Sequence, residues 1–257
     1  VDSFLLTRKE MADLLLSLKG WGVQSPISYL QELWMKKNEK YAKDENAIQA
    51  FVTMSMPPIF QKILKKSSSP MGFSLNDIVA LGNQIENTNF TLSAIQNWVK
   101  RDIKEMIVAP KKGKKYSIEQ MALLFLVEDL KTALDFDSIR KLLKLIVNDP
   151  EDQEDDLINP VKLYVTYSQL FEELNELNIS EKTSLENGLN MITATEKMIT
   201  EKAEDIISVY ISNDDPKKEA IRNTIVIATL SVYTAYFQML ARRYLTATLF
   251  LQEFPNH

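Results

Sequence analysis

Apolar positions along this chain recur mostly at intervals of three and four, the spacing that lines side chains along one face of an α-helix. Met11, Leu14, Leu15 and Leu18 form the first such stripe. Thr7 stands before it with Glu10 three residues on, the pattern of a capping box, and Gly20 suits its C-terminal stop. Ser25-Pro26 predicts a second helix carrying Ile27, Leu30, Leu33, Trp34 and Tyr41, because proline loses nothing at a first helical position. A third segment over 47–54 ends before Pro57-Pro58, and a basic helix follows over 59–66. Ser67-Ser68-Ser69-Pro70 reads as a linker.

Beyond it, Ser74 opens a helix with Leu75, Ile78, Val79, Leu81 and Ile85. After the polar turn 86–89, Thr91 caps another that buries Leu92, Ile95, Trp98 and Val99. Two short helices joined by a few polar residues have the outline of a helix-turn-helix. Met106-Ile107-Val108 and Lys114-Lys115-Tyr116 flank Pro110-Lys111-Lys112-Gly113. Glycine admits the positive φ of a hairpin turn, so the pattern predicts a small β-wing here. Ser117 with Gln120 is a further capping box, opening a helix through Leu123, Leu124, Val127 and Leu130, and another helix spans 138–147.

The stretch 148–160, NDPEDQEDDLINP, holds six carboxylates and two prolines. It lacks the D-x-[DN]-x-[DN]-G spacing of a calcium loop, so we read a solvated acidic linker in preference to a divalent-metal loop. Helical patterns resume over 161–177, 180–212 and 216–253. Residues 223–241 carry no formal charge over 19 positions, near the length of a membrane span. Asn223, Thr224, Thr229, Ser231, Thr234 and Gln238 interrupt that run and Arg242-Arg243 close it. The centre of a bundle or a subunit interface is therefore the reading preferred to a membrane helix. Tyr233, Tyr236, Phe237, Met239 and Phe250 share this segment as core or interface, with the lining of a ligand pocket as the alternative.

Composition excludes several chemistries. There are no cysteines, which removes disulfides, thiolate metal sites and cysteine nucleophiles and suits a cytoplasmic protein. His257 is the single histidine, so imidazole-based triads and multi-histidine zinc sites are excluded within one chain. The six glycines form neither a GxGxxG nor a GxxxxGK[ST] pattern. Carboxylate pairs such as Glu172-Glu173 are ordinary on helices. No enzyme, metal or cofactor is expected. Charges at Asp2, Arg8, Lys9 and Glu10 leave no signal peptide visible.

Charge is where the sequence points outward. The whole chain carries −5, yet residues 96–116 hold seven basic and two acidic side chains, +5 locally, which leaves −10 for the rest. A basic patch on an acidic protein suggests a polyanionic partner met at one place. Ser93, Gln96 and Asn97 present short polar groups of the kind that read base edges. Lys100, Arg101, Lys104, Lys111, Lys112, Lys114 and Lys115 would neutralise phosphates. Trp98 could stack on a base, but its place beside Ile95 and Val99 reads as core.

Residues 91–146 also resemble the winged helix-turn-helix head of MerR-like regulators. The family's aromatic helix corresponds to Ile95-Gln96-Asn97-Trp98, its wing-to-helix step to Tyr116-Ser117, and its later helix pair to Leu134-Asp135-Phe136-Asp137-Ser138-Ile139. Gln96 and Asn97 stand where that family has arginine and tyrosine, and 73 residues precede the head here. Stretches such as FSLNDIVALGNQIE and NWVKRD further resemble an uncharacterised Firmicute family built on the same head.

The expectation is an all-α protein with a small β-wing. It comprises a helical region over 1–73, a MerR-like winged head over 74–147, an acidic linker over 148–160, and a helical bundle or dimerisation region over 161–257. The functional expectation is a cytoplasmic transcriptional regulator that binds double-stranded DNA as a homodimer joined through its C-terminal helices. It would have no membrane partner, and any small-molecule effector is unidentified. The rival reading is a non-catalytic interaction or scaffold module.

Overall fold

The computed structural model describes residues 4–37, 56–65, 72–108, 115–176, 191–209, 211–212 and 215–253. Among them are ten α-helices: α1 Arg8–Lys19, α2 Pro26–Lys37, α3 Pro58–Lys65, α4 Leu75–Gly82, α5 Leu92–Asn97, α6 Ile118–Leu130, α7 Phe136–Ile146, α8 Pro160–Glu176, α9 Met191–Ser208 and α10 Lys218–Glu253. A single π turn, Trp98–Asp102, continues α5.

The caps that the sequence predicts are formed. Thr7 Oγ1 accepts from the Glu10 amide at 3.2 Å while Glu10 Oε2 accepts from the Thr7 amide at 2.8 Å. Ser74 with Asp77 and Ser117 with Gln120 repeat this reciprocal pairing. Each box satisfies two amides that a helix start leaves without partners. Gly20 ends α1 in the left-handed region at φ 78°.

α6 is the centre of the molecule. All but one of its residues are buried, with Gln120 partly exposed, so it carries no hydrophilic face and must be surrounded. α1 and α8 pack against it and each other, α10 lies across both α6 and α8, and α9 covers α8 and α10. Phe125, Tyr164 and Tyr167 fill the middle, with ring centroids 5.7 and 5.3 Å apart in succession. One polar cluster sits inside it. Arg8 Nη2 pairs with Asp129 Oδ1 at 2.7 Å, and the Tyr167 hydroxyl donates to Asp129 Oδ2 at 2.8 Å.

The expected β-wing is not formed by its described flanks, and no β-strand occurs among the described residues. Backbone pairing is limited to isolated bridges. The amides of Met106 and Ile107 both donate to the Ile103 carbonyl, which folds this stretch into a turn, and Gln120 Nε2 takes the Val108 carbonyl at 2.8 Å. Tyr116 pairs instead with Phe73, through amide-to-carbonyl bonds of 2.7 and 2.9 Å. The amides of Met106, Ile107 and Tyr116 and the carbonyls of Val108 and Tyr116 are thus taken by partners outside a hairpin. Met106 and Ile107 are apolar because they are buried. Lys111, Lys112 and Lys114 lie outside the described residues, as do the segment 47–54, Tyr41, the Ser67–Pro70 linker and the start of the 180–212 helix.

The acidic stretch 148–158 does not hang free. The Leu157 amide donates to the Ile146 carbonyl, Asn148 Nδ2 bonds Asp155 Oδ2 at 2.7 Å, and Ile158 is buried. Its carboxylates line the mouth of a cavity of about 220 Å³ over the start of α6. Among the described residues no group of carboxylates is arranged to hold a metal ion.

Candidate nucleic-acid interface

The α4–α5 pair is held rigidly from behind. Lys62 on α3 anchors Asp77 at 2.5 Å. In the turn between the helices, Asn83 Nδ2 donates to the Phe90 carbonyl at 3.0 Å and Asn83 Oδ1 accepts from the Phe90 amide at 2.8 Å. Thr88 Oγ1 donates to the Gly82 carbonyl at 2.7 Å. Asn87 takes φ 61°, which asparagine tolerates better than most residues. Gly82 is required by close approach, because a Cβ there would fall 2.6 Å from the Phe90 ring.

α5 is short and amphipathic. Ile95 and Trp98 are buried, while Ser93 and Asn97 are exposed and Gln96 is half-buried. Leu92, expected in the core, stands 37% exposed at the helix start. Trp98 packs against Phe136 with ring centroids 6.1 Å apart, and Lys131 Nζ lies 5.5 Å from its centroid. Trp98 is therefore a core residue and is not available to stack on a base.

The π turn adds one residue to the helical repeat, with the Ile103 amide donating to the Trp98 carbonyl at 2.9 Å. Trp98 and Ile103 can then both face inward although five residues apart. Lys100, Arg101 and Lys104 remain exposed, and Lys115 is exposed as well. An outward ridge from Ser93 to Lys104 thus carries amide, hydroxyl and cationic groups. An α-helix about 10–12 Å across matches a DNA major groove about 12 Å wide.

The structure adds residues that sequence reasoning missed. Arg140, Lys141 and Lys144 of α7 line a cleft of about 280 Å³ opposite Arg101 and Lys104, together with Asp102, Glu105 and Asp137. Arg140 Nη1 reaches the Asp102 carbonyl at 3.4 Å and Nη2 reaches Asp137 Oδ1 at 3.1 Å. Lys141 Nζ pairs with Asp137 Oδ2 at 2.7 Å. The Lys141 and Arg140 contacts hold the Asp137 carboxyl below its ordinary range. Spacing along α7 shows an outward basic stripe, but nothing in the sequence says that it faces residues 101–104.

The C-terminal aromatics divide. Tyr233 packs on Phe171 at 4.8 Å, whereas Phe237, Tyr244 and Phe250 are 61, 71 and 59% exposed. Phe250 borders an open hollow with Arg243, Thr246 and Ala247, and Tyr236 borders a cleft of about 410 Å³ with Arg8 and Phe171. α10 is long and apolar enough to cross a membrane by length and composition, although a third of its most apolar window is buried in the protein.

Fold and surface together define a helical protein that presents a short polar helix running into a basic π turn beside a net-positive cleft. The model of a domain of unknown function, DUF1836, matches residues 70–167. The chain belongs to the family of the uncharacterized protein YkrK of Bacillus subtilis (strain 168), to which it is 36% identical over 244 residues, covering 95% of this chain and 97% of that one. No solved structure matches. The matched domain runs from α4 into the first half of α8 and so contains the whole basic surface. The resemblance to MerR-like winged heads is overturned: the matching family is this one, and of the expected wing's flanks 106–108 fold into a turn while Tyr116 bridges to Phe73.

Proposed function

We propose that the protein binds double-stranded DNA through the exposed ridge of α5 and the π turn, and acts as a transcriptional regulator in the cytoplasm. The observation that carries this reading is the joint exposure of Ser93, Asn97, Lys100, Arg101 and Lys104 along α5, its π turn and the turn that follows, a stretch whose inner side, at Ile95, Trp98 and Ile103, is fixed in the core. Gln96 lies half-covered at the edge of the ridge. Asparagine and glutamine amides match adenine's paired donor and acceptor, while lysine and arginine neutralise phosphates. Lys111, Lys112, Lys114 and Lys115 extend the same charge along the chain.

We further propose that a second copy covers the C-terminal half of α10. Tyr236, Phe237, Tyr244, Leu245, Leu249 and Phe250 leave roughly 600–700 Å² of side-chain surface exposed. That approaches the ~800 Å² each partner contributes to a standard interface. A membrane fits less well, because Arg242 and Arg243 fall inside the free half of α10, each at about 2.5–3.5 kcal/mol if carried to the bilayer centre.

Titration of a fluorescent duplex against the full chain over a range of salt tests the DNA reading. With five or more phosphates neutralised, log K should fall against log salt with a slope of about −4.5 or steeper. The variant K100A/R101A/K104A should flatten that slope by about 3. Absence of salt-dependent duplex binding overturns the reading and leaves the interaction-module alternative.

A further inference from the structure

The cleft between the π turn and α7 faces the same side chains as the proposed DNA ridge, yet its α7 wall has no part in that reading. We propose that Arg140, Lys141 and Lys144 seat a DNA backbone phosphate against Arg101 and Lys104, and that Asp137 occupies this seat until DNA displaces it. The inference rests on the DNA-binding reading and extends it to a second element.

Chemistry and geometry both support it. Five cations and three carboxylates line the cleft, so it is net positive in a protein that is net negative. Asp137 lies between Arg140 and Lys141 with one oxygen to each, at 3.1 and 2.7 Å. A phosphodiester offers the same pair of anionic acceptors, and arginine accommodates either anion in its planar fork. These ion pairs are exposed, with Lys141 and Asp137 side chains 77 and 62% accessible, so little is lost when they are exchanged. The wall itself does not yield. Ile139, Leu143 and Ile146 fix the opposite face of α7 in the core, and Arg140 is tied to the π turn through the Asp102 carbonyl. A phosphate bound here would therefore set the angle of the α5 ridge on the duplex.

D137N and K141A/K144A in the full chain, titrated with a mixed-sequence duplex, separate the possibilities. D137N should tighten binding about two- to fivefold by removing a competing carboxylate. K141A/K144A should weaken binding alike for all sequences and flatten the salt slope by about 0.9, the share of the one phosphate seated there. Both changes are on the surface and should leave the circular dichroism spectrum unaltered. Wild-type affinity and slope in both variants, while K100A/R101A/K104A loses binding, would overturn the cleft and leave the ridge standing. No duplex binding by the wild type would overturn both. Inorganic phosphate at matched ionic strength should leave the thermal midpoint unchanged. A rise seen in the wild type and absent from K141A/K144A would assign the seat to a free anion and refute the backbone assignment.

Discussion

Arg8 is the residue whose role the sequence conceals most completely. In the sequence it is only one of several charges near the start of the chain, yet it is buried against Asp129. Burial alone would lower its pKa, but the Asp129 carboxylate outweighs that and holds the guanidinium charged. Asp129 in turn accepts from Arg8 Nη2 at 2.7 Å, from Nε at 3.1 and 3.3 Å to its two oxygens, and from the Tyr167 hydroxyl. Removing one partner strands a buried charge. Asp129→Asn should cost about 3–5 kcal/mol in urea unfolding, and the double change Arg8→Met with Asp129→Leu should cost less than either single change. Equal or greater loss in the double variant would show that this pair is itself a net source of stability. Trp98 is the contrasting case, because its apolar neighbours Ile95 and Val99 already mark it as core in the sequence.

At the scale of elements, capped helices were legible because a cap is a local device. Thr7, Ser74, Thr91 and Ser117 each bond an amide three residues away, a distance fixed by helix geometry. The π turn was not legible, since the inward placement of both Trp98 and Ile103 depends on the surface against which they pack. The acidic stretch 148–158 was recognisable as non-helical, but its docking on α6 was not. That docking has a pH consequence. Burial, followed by repulsion from Asp155, Asp152 and Glu119, raises the Asp156 carboxyl to about 6. The folded state therefore holds a proton that the unfolded chain releases at lower pH. The stability this gives is fully present below the ordinary carboxylate range and is lost as pH rises to about 6. Asp156→Asn should then raise the melting midpoint by roughly 1–2 °C at neutral pH, a small gain because the group is largely solvent-screened. It should have no effect near pH 4. A gain of equal size at both pH values would exclude charge as the cause.

For the whole molecule, α10 sets the outline. Its 36 residues span about 54 Å. Ile221, Ile225, Ala228 and Val232 are buried against the body, while residues 241–250 are exposed on every side. The exposed apolar surface is at or beyond the ~300–600 Å² of the largest patch on a typical monomer. Light scattering should therefore give twice the chain mass, and F237E/L245E should give the single mass with duplex binding weakened about tenfold or more, since one head reads few base pairs. A wild-type protein that stays monomeric at every concentration would defeat the dimer. Sedimentation with lipid vesicles would instead assign α10 to a membrane.

What the chain dictated unaided is most of the helices among the described residues and the starts marked by Thr7, Ser74, Thr91 and Ser117, because periodicity and capping act over three or four residues. The helix expected from 138 begins instead at Phe136, capped by Asp135. The concentration of cations near residue 100 was equally plain, since charge is a property of composition. Tertiary structure alone decided which of those cations share a surface with α7, why 106–108 turn back on Ile103 rather than extend as a strand, and that Arg8 and Asp129 meet 121 positions apart. Those outcomes depend on which buried faces fit together, a competition among distant segments that no local spacing records.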